Sequence, residues 1–305
     1  EDSAKGTAVS SPAVVESVAG VPREPIDIEV VTSFPYPIAR AWNAYLEESD
    51  PRLRCKNLVD SFTALLKYWA LLAASEYLVS DVQSPTVNRS LVRDIKRPLI
   101  STWNLLLERG IAAMRDAKVE PFAPEAWVAY DKLERKCRDK VLVEHRFVDS
   151  DGATKVRTKK LGQIQALIQF RNRLAHGFNL SKEGAAADDA FYSQVLRKVF
   201  SQMRWLMRYE LWHARRRKKG LDGQRLHGAN PEKTDRHPPV RNLPVEQSNL
   251  FLLDESRGLS LPLFAFLDVD GSIDGRPASL EWDLLLFEGE TKKGLVYVSA
   301  GGVHI

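Results

Sequence analysis

One apolar repeat constrains the fold of this chain more than any other feature. It starts at Asp50-Pro51, where an aspartate suited to the N-cap precedes a proline suited to the first helical position. Apolar side chains then recur at helical spacing for about six turns. They are Cys55, Leu58, Val59, Phe62, Leu65, Leu66, Trp69, Leu72, Ala73 and Tyr77. The repeat predicts one long helix with an apolar face.

Similar capping chemistry at Ser84-Pro85 introduces a second long helical pattern. Its apolar face is formed by Ile95, Leu99, Trp103, Leu106, Leu107, Ile111 and Met114. Pro98 should either kink this helix or mark a later start for it. Shorter helical patterns cover residues 38–46 and the segment from Trp127 to Cys137.

After these helices the period changes from helical to alternating. Residues 143–148 and 154–158 flank Asp149-Ser150-Asp151-Gly152, which is typical of a hairpin turn. We therefore expect a β-hairpin inserted between helices. Another helix follows it, and a last long helix is expected from about Asp188 to about Arg217.

Four spans follow from these patterns. Residues 1–34 lack a period and contain closely spaced prolines, so they are predicted to form a disordered tail. Residues 35–217 are predicted to be mainly α, an antiparallel four- to five-helix bundle with the inserted β-hairpin. Residues 218–247, rich in Gly, Pro and charge, are interpreted as a linker. Residues 248–305 contain short strand-like runs and are predicted to form a small β-rich C-terminal unit.

The predicted β-rich unit has about 58 residues, which is small enough to need support from a partner surface. The chain begins with Glu1 instead of Met and ends directly after a strand-like run. We therefore expect it to be a fragment of a longer protein, with the β-rich unit truncated.

The stretch Phe170-Arg171-Asn172-Arg173-Leu174-Ala175-His176-Gly177 lies at the end of the helical pattern after the hairpin. Its first arginine, Arg171, follows three apolar positions at helical spacing and therefore falls on a face that should be buried. Those positions are Ile164, Leu167 and Ile168. An unpaired guanidinium is costly there, so Arg171 should have a protein partner, a substrate or a subunit interface.

The residue types in this stretch suit RNA cleavage without a metal ion. His176 titrates near neutral pH and can act as a general base on a 2′-hydroxyl or a general acid on the leaving oxygen. Arg171 can bind a phosphate through two donors, and Asn172 can orient either group. In an ideal helix Arg171 and His176 diverge by about 140°. A second subunit related by a two-fold axis could bring an arginine and a histidine together.

The arginine–histidine spacing alone is not specific, because Arg208 and His213 show the same spacing in this chain. Two further features distinguish the motif. An asparagine follows its arginine directly, and an Ala-His-Gly sequence closes it where a helix is expected to end.

With these features the motif resembles the signature of the HEPN superfamily, an arginine followed by a polar residue, often asparagine, and a histidine after four to six intervening positions. The resemblance implies a dimeric four- or five-helix bundle in which the motifs of both subunits face each other. It implies a metal-independent endoribonuclease of a toxin or antiviral defence type, which leaves 2′,3′-cyclic phosphate ends. Arg171 and His176 would be catalytic and Asn172 supportive. The match covers about residues 35–217, and the hairpin and the β-rich unit lie outside the family pattern.

Two alternatives stay open. Other members of the superfamily serve as non-catalytic dimerisation or sensor modules of larger defence or signalling proteins, and the β-rich unit would then bind a protein partner. In a purely structural interpretation, Arg171 pairs with an acidic residue of the bundle and His176 caps a helix end.

Four basic residues on the hairpin and at the start of the motif helix, expected from about Lys160, are candidates for RNA binding through phosphate contacts. They are Lys155, Arg157, Lys159 and Lys160. The alternative is a solvated hairpin face. A denser basic run at 215–219 is a further candidate for RNA binding. Its structural explanation is that cations at a helix C-terminus complement the helix dipole.

Other kinds of site are not supported. The sequence Asp268-Val269-Asp270-Gly271 resembles the first motif of haloacid-dehalogenase phosphatases, but too few residues follow for the later motifs of such an enzyme. It is interpreted as a turn between strands. His and Cys residues show no metal-binding spacing, so neither a metal ion nor a cofactor is expected.

Composition places few limits on function. Hydrophobic residues make up 44% of the chain and charged residues 28%, and the net charge of +4 does not by itself mark a nucleic-acid binder. Cys55 and Cys137 are predicted to be buried thiols in a reducing cytosol. No apolar run reaches the roughly 18 residues needed to span a bilayer. The protein is therefore expected in the cytoplasm.

Overall fold

The computed structural model describes residues 23–96, 98–148, 154–175, 181–217, 220–231, 236–240, 243–245, 248–263, 267–270, 283–291 and 294–299, with the backbone alone at 145–148, 154–156, 215, 217 and beyond 263. The described part of the chain contains eight α-helices. They are α1 (Pro25–Ser33), α2 (Tyr36–Glu47), α3 (Pro51–Val79), α4 (Pro85–Val92), α5 (Ile100–Asp116), α6 (Pro124–Tyr130), α7 (Gln163–Ala175) and α8 (Lys182–Gln202).

The described strands form three antiparallel sheets. The strands are β1 (Val141–Val148), β2 (Thr154–Leu161), β3 (Glu210–Arg217), β4 (Gly220–Arg225), β5 (Leu250–Asp254), β6 (Leu259–Leu263), β7 (Leu267–Asp270), β8 (Asp283–Thr291) and β9 (Gly294–Ser299). Their order is β1-β2 in the first sheet, β4-β3-β5-β6 in the second and β7-β8-β9 in the third. The prediction of a mainly helical chain with small antiparallel sheets is confirmed.

Helix α3 is the predicted long helix, and its N-cap is the predicted aspartate. Asp50 Oδ1 accepts hydrogen bonds from the backbone N–H groups of Arg52 and Leu53, at 2.9 and 3.2 Å. Side chains are buried on most sides of the helix between Cys55 and Tyr77. Because α3 contacts α2, α5, α7 and α8, it occupies the centre of the helical part.

The second long helical pattern is divided near Pro98. Of the two predicted outcomes, a kink or a later start, the structure shows the later start. Helix α4 ends at Val92, a 3₁₀ turn covers Asp94–Lys96, and α5 starts only at Ile100. A proline inside a helix would remove a hydrogen bond and clash with the preceding turn, so the longer helix starts after Pro98. The inserted hairpin is also confirmed, with β1 and β2 paired from Val141↔Leu161 to Val148↔Thr154.

The prediction of a disordered tail over residues 1–34 is wrong for α1. Pro25 occupies the first turn of this helix, where its missing N–H costs nothing. Arg197 of α8 donates two hydrogen bonds to the fully buried carboxylate of Asp27, at 2.9 and 3.0 Å. The helix is therefore anchored by partners far along the chain, which no local pattern reveals.

The prediction that the last helix runs to about Arg217 is also wrong. Helix α8 ends at Gln202, and the chain returns as β3, which pairs with β4 on one side and β5 on the other. Residues 211–214 are all buried. A strand covered on both faces lacks alternation, so its apolar run matched a helical pattern as well.

The segment predicted as a linker, residues 218–247, contains β4. Beyond this strand the backbone of residues 226–229 pairs with the connection between α1 and α2. Tyr36 donates to the carbonyl of Leu226 at 2.9 Å, and Gly228 donates to that of Phe34 at 2.8 Å. The division of the chain into domains stays a prediction. No helix in the described ranges is both long and apolar enough to cross a membrane.

Candidate functional site

Helix α7 carries the motif, and a carboxylate from a neighbouring element caps its N-terminus. Glu134 Oε1 accepts a hydrogen bond from the backbone N–H of Gln165 at 2.8 Å. Burial raises the pKa of the Glu134 carboxyl to about 7, although the backbone N–H groups of Gln165 and Ile164 act to lower it. Gly162 leaves room for this carboxylate, because an added Cβ would lie 2.6 Å from Glu134 Oε2 and would displace it.

The predicted apolar face of α7 is present. Ile164, Leu167 and Ile168 are buried in the main core, and Arg171 follows them in a half-buried position. Arg171 Nη1 donates a hydrogen bond of 3.4 Å to Asn172 Oδ1. Arg171 forms no ion pair with any carboxylate in the described ranges. The described residues therefore do not provide the acidic partner that the structural interpretation needs.

The second arginine of the motif, Arg173, has a carboxylate partner on α8. Arg173 Nη2 lies 2.7 Å from Asp188 Oδ1, an ion pair without the geometry of a hydrogen bond. The guanidinium also lies over two aromatic rings, 5.4 Å from the centroid of Phe170 and 5.6 Å from that of Tyr192. These rings stack on each other at 4.0 Å. Arg173 therefore binds the end of α7 to α8.

Sequence reasoning missed this contact. The sequence indicated Asp188 only as the approximate start of the last long helix, whereas α8 begins at Lys182. One signal was available, because Phe170 and Arg173 are three positions apart and such side chains share a face of a helix. The partner itself lies on the next helix, where spacing within α7 gives no information.

A second ion pair, more deeply buried than the first, uses the neighbouring carboxylate on α8. Arg54 Nε of α3 lies 2.7 Å from Oδ2 of Asp189, and Arg54 Nη2 donates to the hydroxyl of Tyr45 at 2.5 Å. The neighbouring Cys55 donates its thiol to the carbonyl of Ala185 at 3.3 Å. Burial raises the pKa of Cys55 to about 12, so this thiol stays protonated and unreactive. Its predicted burial is confirmed, as is that of Cys137.

His176 and Gly177 lie outside the described residues. The described part of α7 reaches Ala175, which is exposed. The relation between Arg171 and His176, and the end of the helix at Gly177, stay predictions.

The strand register divides the four predicted RNA-binding residues between two faces of the hairpin. Lys155, Arg157 and Lys159 alternate along β2 and share one face, whereas Lys160 lies on the other. Arg157 and Lys160 are exposed and Lys159 is half-buried, while the side chain of Lys155 lies outside the described residues. Three of the four positions are thus brought to one face of the strand.

A groove of about 440 Å³ lies away from the motif. It is lined by Pro124, Glu125, Val128, Ala129, Lys132, Ser201, Gln202 and Trp205, none of which belongs to α7. Glu125 is already engaged, because its carboxylate accepts hydrogen bonds from Arg208 and Tyr209, at 2.7 and 2.6 Å. The groove therefore has no connection with the predicted chemistry.

Within the described ranges, no group of three or more His, Cys, Asp and Glu residues could hold a metal ion. In comparisons with known proteins, no family model, no curated protein and no solved structure matches this chain.

Proposed function

We propose that this chain is a metal-independent endoribonuclease of a toxin or antiviral defence type. Its helical part would be a HEPN-like antiparallel bundle around α3, with a composite arginine–histidine site at a homodimer interface. One observation supports the proposal most. Arg171 ends the apolar face of α7 half-buried, and no described carboxylate neutralises it. An arginine in this state has its donors available for a phosphate.

The proposed reaction is a transesterification within the RNA backbone. A His176 imidazole removes the proton of a 2′-hydroxyl, and the resulting oxygen attacks the adjacent phosphorus. The bond from phosphorus to the 5′-oxygen breaks, and the same His176, now protonated, supplies the proton to this leaving group. The products are a 2′,3′-cyclic phosphate and a 5′-hydroxyl, so atoms and charge balance without a metal ion.

Arg171 would stabilise the negative charge that develops on the phosphate oxygens. The hydrogen bond from its Nη1 to Asn172 Oδ1 gives Asn172 a supporting role, because this contact restricts the guanidinium. Removal of one such charge-stabilising donor typically lowers kcat by about 10²- to 10³-fold.

Two copies of the motif are proposed to form the site. Arg171 and His176 are five positions apart, which corresponds to about 140° around an ideal helix. One helix therefore points the two side chains in different directions. A two-fold axis near the end of α7 would place the arginine of one subunit opposite the histidine of its partner.

The hairpin is proposed to guide RNA toward this site. Lys155, Arg157 and Lys159 share a face of β2, and the hairpin contacts α7 through β1. Cations on one face can follow the phosphates of a single strand. Lys160, on the opposite face, would contribute less, although the sequence places it in the same group.

The alternative is a non-catalytic dimerisation or sensor module. A polar network favours it by joining the second sheet to the helical part. Arg208 binds both Glu125 of α6 and Asp254 of β5, and Arg257 binds Asp254 and the carbonyl of Phe122. A sheet held in this way offers a fixed surface for a protein partner, which would be the role of the C-terminal unit.

RNA cleavage in excess EDTA tests the proposal. The wild-type chain should cleave, and Arg171→Ala and His176→Ala should lose at least about 10²-fold in kcat. His237→Ala is the control, because His237 is well exposed and contacts β4, far from the motif in sequence. Cleavage that needs a divalent ion, or that persists in both motif variants, contradicts the proposal. A folded dimer without any nuclease activity supports the alternative.

A further inference from the structure

The two arginines of the motif differ in what surrounds them, and this difference assigns a role to the second. We infer that Arg173 is a positioning residue, whose ion pair with Asp188 fixes the last turn of α7 and so holds Arg171 in place. The inference rests on the proposed function, since it names what positions that site.

The last turn of α7 has little other support. Residues 171–175 are all half-buried or exposed, whereas Phe170 just before them is fully buried. Leu174 packs only partly against the core. Core packing therefore holds α7 firmly up to Phe170, and the orientation of the next turn depends on its contacts with α8.

Arg173 supplies those contacts in two ways. Its ion pair with Asp188 spans 2.7 Å, and its guanidinium covers the stacked rings of Phe170 and Tyr192. Both rings are buried, so the cation lies on a rigid platform shared by α7 and α8. A planar guanidinium suits this platform, and a lysine ammonium would not reproduce both its stacking on the rings and its contact with the carboxylate.

The same arrangement keeps Arg173 away from RNA. A phosphate would have to displace a carboxylate that already lies 2.7 Å from Nη2. The Nε and Nη2 atoms are also buried from solvent. Arg171 has neither restriction in the described ranges, so it remains the phosphate-binding arginine of the motif.

The chain contains a matched control for a test. Arg115 donates hydrogen bonds of 3.0 and 3.1 Å to Asp131 and lies 5.4 Å from the ring centroid of Trp127, so it too combines a carboxylate partner with an aromatic ring. The exposed fractions are also similar, 26% and 18% for this pair against 30% and 19% for Arg173 and Asp188. Arg115 lies on α5, away from the end of α7.

The experiment compares Arg173→Lys with Arg115→Lys in RNA cleavage by the full chain. Arg173→Lys should lower kcat by roughly 10- to 100-fold, because a displacement of about 1 Å in a catalytic group has such an effect. KM should change by less than about twofold, since no RNA contact is removed. Arg115→Lys should leave both constants close to wild type. Asp188→Asn provides a second variant and should behave as Arg173→Lys does.

Equal kcat in Arg173→Lys and Arg115→Lys would overturn the inference. So would an increase in KM at unchanged kcat, because that result assigns Arg173 to RNA binding. If the wild-type chain does not cleave RNA, the proposed function fails, and the side-chain Nε–H signal of ¹⁵N-labelled Arg171 decides the positioning role. This signal should shift in Arg173→Lys and not in Arg115→Lys, and an unchanged signal in both would refute it.

Discussion

The ion pair between Asp27 and Arg197 allows the docking of α1 to be tested quantitatively. Asp27 is 0% exposed and the Arg197 side chain 6% exposed. The carboxylate accepts two hydrogen bonds from Arg197, at 2.9 and 3.0 Å, and one from the backbone N–H of Glu24 at 2.9 Å. Replacement by Asn leaves the buried guanidinium with only the half-exposed carboxylate of Glu24, at the longer distance of 3.6 Å from Nη1. Breaking a buried pair in this way costs about 3–5 kcal/mol.

An exposed ion pair between α1 and the residues just beyond α8 provides the control. Glu29 of α1 pairs with Arg204, just beyond α8, through two contacts of 2.6 and 3.0 Å. This pair is open to solvent, with side-chain exposures of 33% and 51%. Solvent screens exposed charges, so Glu29→Gln should cost far less than Asp27→Asn.

Urea denaturation at pH 7 measures both variants through the shift in midpoint at constant m. The double variant Asp27→Leu with Arg197→Met should be more stable than either single one, because apolar residues of similar size can replace a buried pair. Equal losses for Asp27→Asn and Glu29→Gln, or a loss below about 1 kcal/mol for Asp27→Asn, would refute the docking of α1.

Three further predictions concern single positions. Burial lowers the pKa of His227 to about 4, below the unfolded value near 6.5, while Nε2 accepts from the Leu211 N–H. Between pH 6.5 and 4 the unfolded chain binds more protons, so this stabilisation is complete above pH 6.5 and declines on acidification by about 3 kcal/mol. The gap in unfolding free energy between wild type and His227→Asn should shrink by that amount, and a gap independent of pH contradicts it. Gly162→Ala should destabilise by about 1–3 kcal/mol in urea denaturation, because it displaces the Glu134 cap from α7. Gly110→Ala should instead stabilise by up to about 1 kcal/mol, since its new Cβ meets Ala73 at an ordinary 3.6 Å inside a helix; a loss there would show that α3 and α5 pack more tightly than described.

Local signals in the sequence predicted the parts of the fold that local interactions determine. The cap at Asp50 and the period after it predicted α3, because an N-cap and an apolar face are properties of one segment. The hairpin was predictable for the same reason, from two alternating runs around a turn. The effect of Pro98 followed from its missing N–H.

Partners distant in the sequence determined the rest. Helix α1 forms where Arg197 meets Asp27, and β3 forms because β4 and β5 flank it. Local sequence patterns alone favoured a disordered tail in place of α1 and a continued helix in place of β3. Tertiary contacts overrode that local preference.

In the candidate site, too, the features set by local interactions were predictable and those set by distant partners were not. The period of α7 predicted that Arg171 would end an apolar face, and this is confirmed. The ion pair of Arg173 with Asp188 was not predictable, since it depends on how α7 and α8 pack. The sequence therefore indicated which residues form the motif but did not distinguish the surroundings of its two arginines.

Mixing the two variants that should be inactive tests the proposed composite site most directly. Arg171→Ala and His176→Ala chains would be combined, allowed to exchange subunits, and assayed for RNA cleavage in EDTA. In a mixed dimer one of the two sites keeps both its arginine and its histidine. Half of randomly formed dimers are mixed, so activity should return to about one quarter of wild type. Wild-type cleavage without any recovery in the mixture would contradict a site shared between subunits.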